Sequence, residues 1–193
     1  MSIIVDERVQ LTEIRPADKP AFVVHLNDRD IYERTLRIPY PYTEAEADAF
    51  LKHVAESTER QGQPTHWALR NEREELIGGL GFTDFEIGSS HRAEIGYWLA
   101  KPYWGQGIMT AAVRAACAFA CDEWELVKIV AHVFVNNPAS ARVLEKNGFV
   151  QEGYLRKHLR KDGRYLDALL FGLLAESHET SVPAESGSSR AGG

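Results

Sequence analysis

Between Ile95 and Thr110 the chain reads Ile-Gly-Tyr-Trp-Leu-Ala-Lys-Pro-Tyr-Trp-Gly-Gln-Gly-Ile-Met-Thr, and this stretch restricts what the whole can fold into. Upstream, Arg92–Leu99 alternates, with Ala93, Ile95, Tyr97 and Leu99 on one face and Glu94, Gly96 and Trp98 on the other, which predicts a strand. Downstream, Gly105–Cys121 reads as an alanine-rich helix whose only polar side chains between Thr110 and Cys121 are those of Thr110 and Arg114, so it is predicted to be largely buried. A strand, a short loop and two glycines thus lead into a helix whose first turn has unpaired N–H groups and the positive end of the macrodipole. Glycine lets an anion approach the backbone with no Cβ in the way, so this helix start suits a phosphate. It lacks the third glycine of the dinucleotide fingerprint and the Lys-Ser/Thr of a P-loop, which disfavours nicotinamide and nucleoside-triphosphate chemistry. On the residues alone, a plain tight turn stays open as the alternative.

The other segments supply the rest of an alternating α/β pattern. Arg8–Ile14 alternates as a strand, and Pro16-Ala17-Asp18 opens a helix through Leu26. Thr43 with Glu46 three residues on is a capping box that starts a helix running to about Thr58. His66–Arg70 and Leu76–Ile87 read as strands joined by the charged turn at 71–75, and Val127–Val135 as a nearly continuous apolar strand covered on both faces. Asn137-Pro138 is a helix cap followed by proline at the first helical position, and Asn147-Gly148 is the matching stop. Val150–Arg160 and Tyr165–Leu174 form a hairpin around Asp162-Gly163. The sum is a single α/β domain with a mixed sheet over residues 1–174. Residues 175–193 contain one valine and no aromatic residue, which predicts a flexible low-complexity tail.

Composition narrows the classes further. A chain of 193 residues fits one domain, and 22 basic against 28 acidic residues give a net charge of −6, which argues against nucleic acid as the main partner. Glu176, Glu179 and Glu185 against Arg190 place part of that charge on the tail. Two cysteines make no disulfide framework, and Cys117 and Cys121 on an alanine helix read as core packing. The seven histidines show no metal spacing, so no metal is expected; His132 alternates with Val130 and Phe134 and reads as structural. The opening apolar run is too short for a secretory signal and no stretch approaches a membrane span, so a cytoplasmic protein without a membrane partner is expected.

Taken with its flanks, the glycine turn is more specific. Glu94-Ile-Gly-Tyr-Trp-Leu, then Tyr103-Trp-Gly-Gln-Gly-Ile-Met-Thr, then Asn137-Pro-Ala-Ser140-Ala-Arg-Val-Leu-Glu-Lys-Asn-Gly148-Phe149 resembles the GNAT superfamily of acyl-CoA-dependent N-acyltransferases. Pro39-Tyr-Pro-Tyr-Thr43, Ile77-Gly-Gly and Asp162-Gly-Arg-Tyr-Leu-Asp167 are similar to its RimJ/RimL branch, the ribosomal-protein N-terminal acetyltransferases and their relatives. The resemblance spans Arg8 to Leu174 with the motifs in family order. It implies a GNAT-type α/β (α+β) domain: a mixed, mostly antiparallel twisted sheet with a central splay and helices on both faces. It implies acetyl-CoA as acyl donor, a primary amine as acceptor, and a homodimer as one assembly open to the chain. The turn Gly105-Gln106-Gly107, flanked by Trp104, and the amides of Ile108, Met109 and Thr110 would hold the CoA pyrophosphate. The edge at Trp98 and Leu99 would pair with the pantetheine arm, and Asn137 would contact that arm or organise the cap beside it. Two positions depart from the pattern. Pro102 stands where the family has Arg or Gln, and Leu144 replaces the tyrosine that many members use as general acid; the resemblance to relatives of this branch implies Ser140 as the candidate acid instead.

The reaction needs a neutral amine, whereas a free α-amine ionises near 7.7–8.0 and lysine near 10.4. A carboxylate that removes the proton raises the reactive fraction, and Glu94 stands on the strand leading into the turn. Backbone N–H groups would meet the developing oxyanion, with no covalent acyl-enzyme. On the residues alone, Glu94 also fits a solvated or ion-paired strand residue, Asn137 a plain cap, and Ser140 a polar filler of the first helical turn. Glu44–Glu59 is acidic and Arg156–Arg164 is basic; near the site these would attract a cationic amine and a phosphate, and otherwise they are solvated faces. The expected acceptor is a protein N-terminus. A small polyamine or aminoglycoside is the alternative, and a non-catalytic acyl-CoA-binding module is the reading from a different class.

Overall fold

Alternating strand patterns separated by amphipathic helices produce, in the computed structural model, one eight-stranded sheet with helices on both faces; the structure describes residues 2–175. In chain order the elements are β1 (Ser2–Ile4), β2 (Val9–Glu13), α1 (Lys19–Leu26), α2 (Arg29–Arg34), α3 (Glu44–Gln61), β3 (His66–Asn71), β4 (Leu76–Thr83), β5 (Arg92–Leu99), α4 (Ile108–Glu123), β6 (Lys128–Phe134), α5 (Pro138–Glu145), β7 (Val150–Lys161) and β8 (Arg164–Leu174). The strand order is β1-β2-β3-β4-β5-β6-β8-β7. Every neighbouring pair is antiparallel except β5 and β6.

The parallel pair is short. Arg92, Ala93 and Glu94 pair with Lys128, Ile129 and Val130, and beyond Glu94 the two strands run on unpaired to Leu99 and Phe134. The sheet is therefore splayed at its centre, as the resemblance implies, and the unpaired edges of β5 and β6 face a gap.

Neighbouring residues of one strand feed opposite cores. Leu69 packs into the core under α4, whereas Ala68 packs into the one under α1 and α3. Ala112, Ala116 and Ala120 are fully buried, so α4 lies close on the sheet, and Trp67, Phe82, Phe119 and Trp124 fill the space at its far end. Cys117 is buried in this core as a free thiol. Residues 176–193, nearly all of the predicted tail, lie outside the described residues.

Several boundaries differ from the sequence reading for local reasons. The alanine helix starts at Ile108 and not at Gly105, because Gly105 and Gly107 adopt φ of 74° and 77°, outside the right-handed helical region. β4 ends at Thr83 and not at Ile87, where Asp84 turns to a positive φ. α2 lacks an amphipathic repeat; it forms on Asp28, whose carboxylate accepts from the N–H groups of Asp30 and Ile31 at 2.7 and 3.3 Å.

Candidate active site

A cavity of about 750 Å³ occupies the splay. Its walls come from β5 and β6, the turn before α4, the start of α5, and the segment Arg34–Ile38 that follows α2. Gly107 caps α4 in the left-handed conformation without a side-chain hydrogen bond. The first helical bond there runs from the Ala111 N–H to the Gly107 carbonyl at 3.1 Å, so the N–H groups of Ile108, Met109 and Thr110 stand ahead of the ladder. All three residues line the cavity, as do Gly105 and Gly107. Gln106 does not; its side-chain amide donates to the Pro102 carbonyl at 3.0 Å and braces the turn. The turn is a neutral cradle of amides fit for a diphosphate. Pro102 takes no part in it beyond its carbonyl.

The β5 edge is selective about which residues it offers. The Ala100 N–H donates to the Ile77 carbonyl at 2.8 Å, which fixes the alternation of the β4–β5 ladder. Trp98 accordingly turns its backbone toward β4, while Tyr97 and Leu99 turn theirs toward the gap. The Leu99 carbonyl is occupied by the Trp104 indole N–H at 2.7 Å. Of the two residues predicted for the pantetheine edge, Leu99 thus presents backbone and Trp98 presents side chain. The Trp98 indole lies across Gly79, where an added Cβ would sit 2.8 Å from the ring nitrogen.

Two side-chain pairs approach the gap from opposite faces of the sheet. On the α1/α3 face, Glu94 Oε1 lies 3.0 Å from Nδ1 of His132. Ile129, Ala131 and Val133 belong to the core under α4, so His132 takes the other face of β6 and meets Glu94 across the last paired residues. Burial pushes the Glu94 carboxyl up, but the hydrogen bond and charge of His132 outweigh it, with help from Arg37 and Asp84, and hold it below the usual glutamate value. The hydrogen bond to Glu94 raises His132, against the effect of its own burial. The His158 ring of β7 stacks on that of His132, with centroids 4.9 Å apart and planes 22° apart.

On the α4/α5 face, Ser140 and Tyr97 form the second pair. Their hydroxyl oxygens are 2.9 Å apart, and the Tyr97 hydroxyl also reaches the Ser140 carbonyl at 3.2 Å. Burial pushes the Tyr97 phenol far up, so it is a neutral donor at every working pH. Asn137 caps α5 by accepting the Ser140 N–H at 3.3 Å, and its amide donates to the Arg34 carbonyl at 3.3 Å. It thereby ties α2 to α5 across the cavity. Leu144, in the position of the missing family tyrosine, is fully buried.

Glu94, Ser140 and the glycine turn, all singled out in the sequence, thus line one cavity, and the sequence reading did not single out the partners of the first two, His132 and Tyr97. Period-two alternation set His132 down as structural and placed Tyr97 on one strand face with no role, because it reports the face of a strand and not what faces it across a splay. The predicted acidic run on α3 contributes only Phe50 to the cavity, and from the basic hairpin only His158 and Leu159 reach it. No group of residues fit to hold a metal ion occurs among the described residues. No helix among them is long and apolar enough to cross a membrane.

Comparisons with known proteins fit this geometry. Residues 8–150 match the family model described as acetyltransferase (GNAT) domain. The ribosomal-protein-serine acetyltransferase of Escherichia coli is 36% identical over 104 residues, covering 54% of this chain and 58% of that one. The spermidine N(1)-acetyltransferase of Vibrio cholerae is 29% identical over 142 residues, covering 73% and 78%. Matches to the relatives span from 49% to 99% of their own lengths. Among solved structures, the RimL ribosomal L7/L12 α-N-protein acetyltransferase in complex with coenzyme A superposes with a TM-score of 0.81 at 22% identity, over 90% of this chain and 98% of that one. The chain belongs to the GNAT acetyltransferase family.

Proposed function

We propose that this chain transfers the acetyl group of acetyl-CoA to a protein N-terminal α-amine, by direct attack within a ternary complex. The turn Gly105–Thr110 receives the pyrophosphate, and the Leu99 edge and Trp98 indole receive the pantetheine arm. The Glu94–His132 pair receives the amine proton. Ser140, backed by Tyr97, returns a proton to the departing sulfur.

The observation that carries the choice of acceptor is the charge of the cavity wall. Among the described residues that line it, Glu94 is the sole carboxylate, against Arg34, Arg37, Arg142 and Lys146. A polyamine or aminoglycoside brings several positive charges, each of which loses hydration on entry and needs its own partner. A single α-amine brings one, is partly neutral at pH 7, and needs one proton acceptor.

Acetyl-CoA-dependent thiol release across a panel of acceptors tests this: peptides with free N-termini, the same peptides blocked, spermidine, and an aminoglycoside. Turnover is expected with free peptides and lost on blocking. A preference for spermidine by kcat/KM would overturn the acceptor assignment, and coenzyme A binding without turnover on any amine would favour the binding module.

A further inference from the structure

We infer that the atom that takes the proton from the acceptor amine is Nε2 of His132, with Glu94 acting through it as the residue that orients and charges the imidazole. The proposal rests on the acetyl-transfer reading above and moves the base from the carboxylate to its partner.

The geometry gives three reasons. A carboxylate only accepts hydrogen bonds, so the Nδ1 that faces Glu94 Oε1 at 3.0 Å carries the hydrogen of the neutral ring. The lone pair is then left on Nε2, which has no hydrogen-bond partner among the described residues, while the ring itself lines the cavity. The imidazole is also held from a second side by the parallel His158 ring of β7. A base oriented by a third group is the usual arrangement for proton abstraction, and here the order of groups is carboxylate, imidazole, cavity.

The charged groups that face the ring come from several elements. Glu94 of β5 and Asp84 of the loop after β4 both favour its protonated form, and Arg37 pairs with Asp84 at 3.5 Å. Raising the imidazole above the ordinary histidine value moves it toward a neutral working pH, and general-base catalysis is most efficient when the base titrates near that pH.

The proton balance closes without another reactant. One proton passes from the ammonium nitrogen to His132 Nε2 and from there to solvent. The freed nitrogen pair forms the C–N bond to the thioester carbon as the C–S bond breaks. The second nitrogen proton is given up as the sulfur gains one from the Ser140 hydroxyl, which is made good by the nitrogen. The products are the amide, the free thiol and one proton in solution.

Two measurements on the full chain test the proposal. The first is NMR titration of the histidine ring without any acyl donor. His132 is expected to show the Nδ1–H tautomer and to titrate above an ordinary histidine, and Glu94→Gln is expected to return it toward the ordinary value. A His132 in the opposite tautomer would overturn the proposal. The second is turnover. His132→Ala should lose roughly 10²–10⁴ in kcat with coenzyme A affinity retained, and added imidazole should restore it in proportion to its free base. Glu94→Gln keeps an acceptor for Nδ1–H and should lose about tenfold or less, on the order of one hydrogen bond. If Glu94→Gln abolishes turnover while His132→Ala retains it, or imidazole restores nothing, the carboxylate is the base and the proposal fails. His132→Gln repeats the comparison should the alanine variant not fold. A wild-type chain that acetylates no amine would defeat the functional reading, whereas the titration would still decide the tautomer.

Discussion

The phenol oxygen of Tyr97 and the hydroxyl oxygen of Ser140 stand 2.9 Å apart, joining the centre of β5 to the first turn of α5 across the splay. A serine hydroxyl is a poor acid alone, and the buried neutral phenol hydrogen-bonded to it orients the hydroxyl and stabilises its oxygen while the proton is away. Ser140→Ala is expected to lower kcat about 10²-fold with little change in KM for acetyl-CoA. Tyr97→Phe keeps the serine and removes one hydrogen bond of about 1 kcal/mol, so about fivefold is expected. Steady-state thiol release on the two variants checks this ordering; equal losses would mean that the phenol acts itself.

The turn at Gly105–Gly107 depends on backbone conformation and not on lack of room. An added Cβ at Gly107 would meet nothing within 4 Å, but φ is 77°. Gly107→Ala therefore carries roughly 1–2 kcal/mol of strain, which the chain can relieve by moving the amides that follow. Calorimetry should show coenzyme A binding weakened about tenfold. Gly88→Ala makes the control, because Gly88 has a φ of 86° and equally open surroundings but lies outside the cavity wall. It should cost similar stability and leave the affinity unchanged.

These two sites also show how far the amino-acid text reaches. The glycine turn was legible because it is local: strand alternation, two glycines and an alanine helix are written consecutively. Asn137 and Gly148 were legible as helix punctuation for the same reason. The pairing of Glu94 with His132, 38 residues on, was not, since it follows from the register of the one parallel ladder in the sheet. Nor was the bracing of Arg34–Ile38, where the Lys161 ammonium donates to the Tyr32 and Thr35 carbonyls from the far hairpin. Non-local register and long-range capping leave no periodic trace, and α2, too short to show a helical repeat, left none either.

His66 carries a prediction for acid stability. Its ring packs against Phe50 and His53 and meets the Thr65 hydroxyl at 2.9 Å, which in turn lies 2.8 Å from Ser57. Burial, with smaller contributions from the charges of His53 and Arg37, pushes it down to about 4. The unfolded chain takes up this proton near pH 6.5 and the folded chain only near 4, so stability is expected to fall as pH drops through that window, by about 3 kcal/mol in full. Urea unfolding at pH 7 and at pH 4.5 should show a smaller drop for His66→Gln than for the wild type. An equal drop in both would assign the acid sensitivity to other groups.

Arg70 and Asp18 make a buried ion pair at 2.8 Å, with both side chains almost wholly enclosed. Arg70 Nε also donates to the Thr12 hydroxyl at 2.7 Å, and the Asp18 carboxylate accepts the Arg15 N–H at 2.7 Å, so the pair fastens the entry to α1 onto β2 and β3. Two buried charges add little net stability as a pair, yet removing one strands the other. Arg70→Met is expected to cost about 3–5 kcal/mol in denaturant unfolding. Asp18→Asn keeps the oxygen that the Arg15 N–H needs, so adding it to Arg70→Met should recover much of that loss. Neither residue lines the cavity, and coenzyme A affinity should be unchanged in any variant that remains folded. Strict additivity of the two substitutions would show that the charges do not interact in solution.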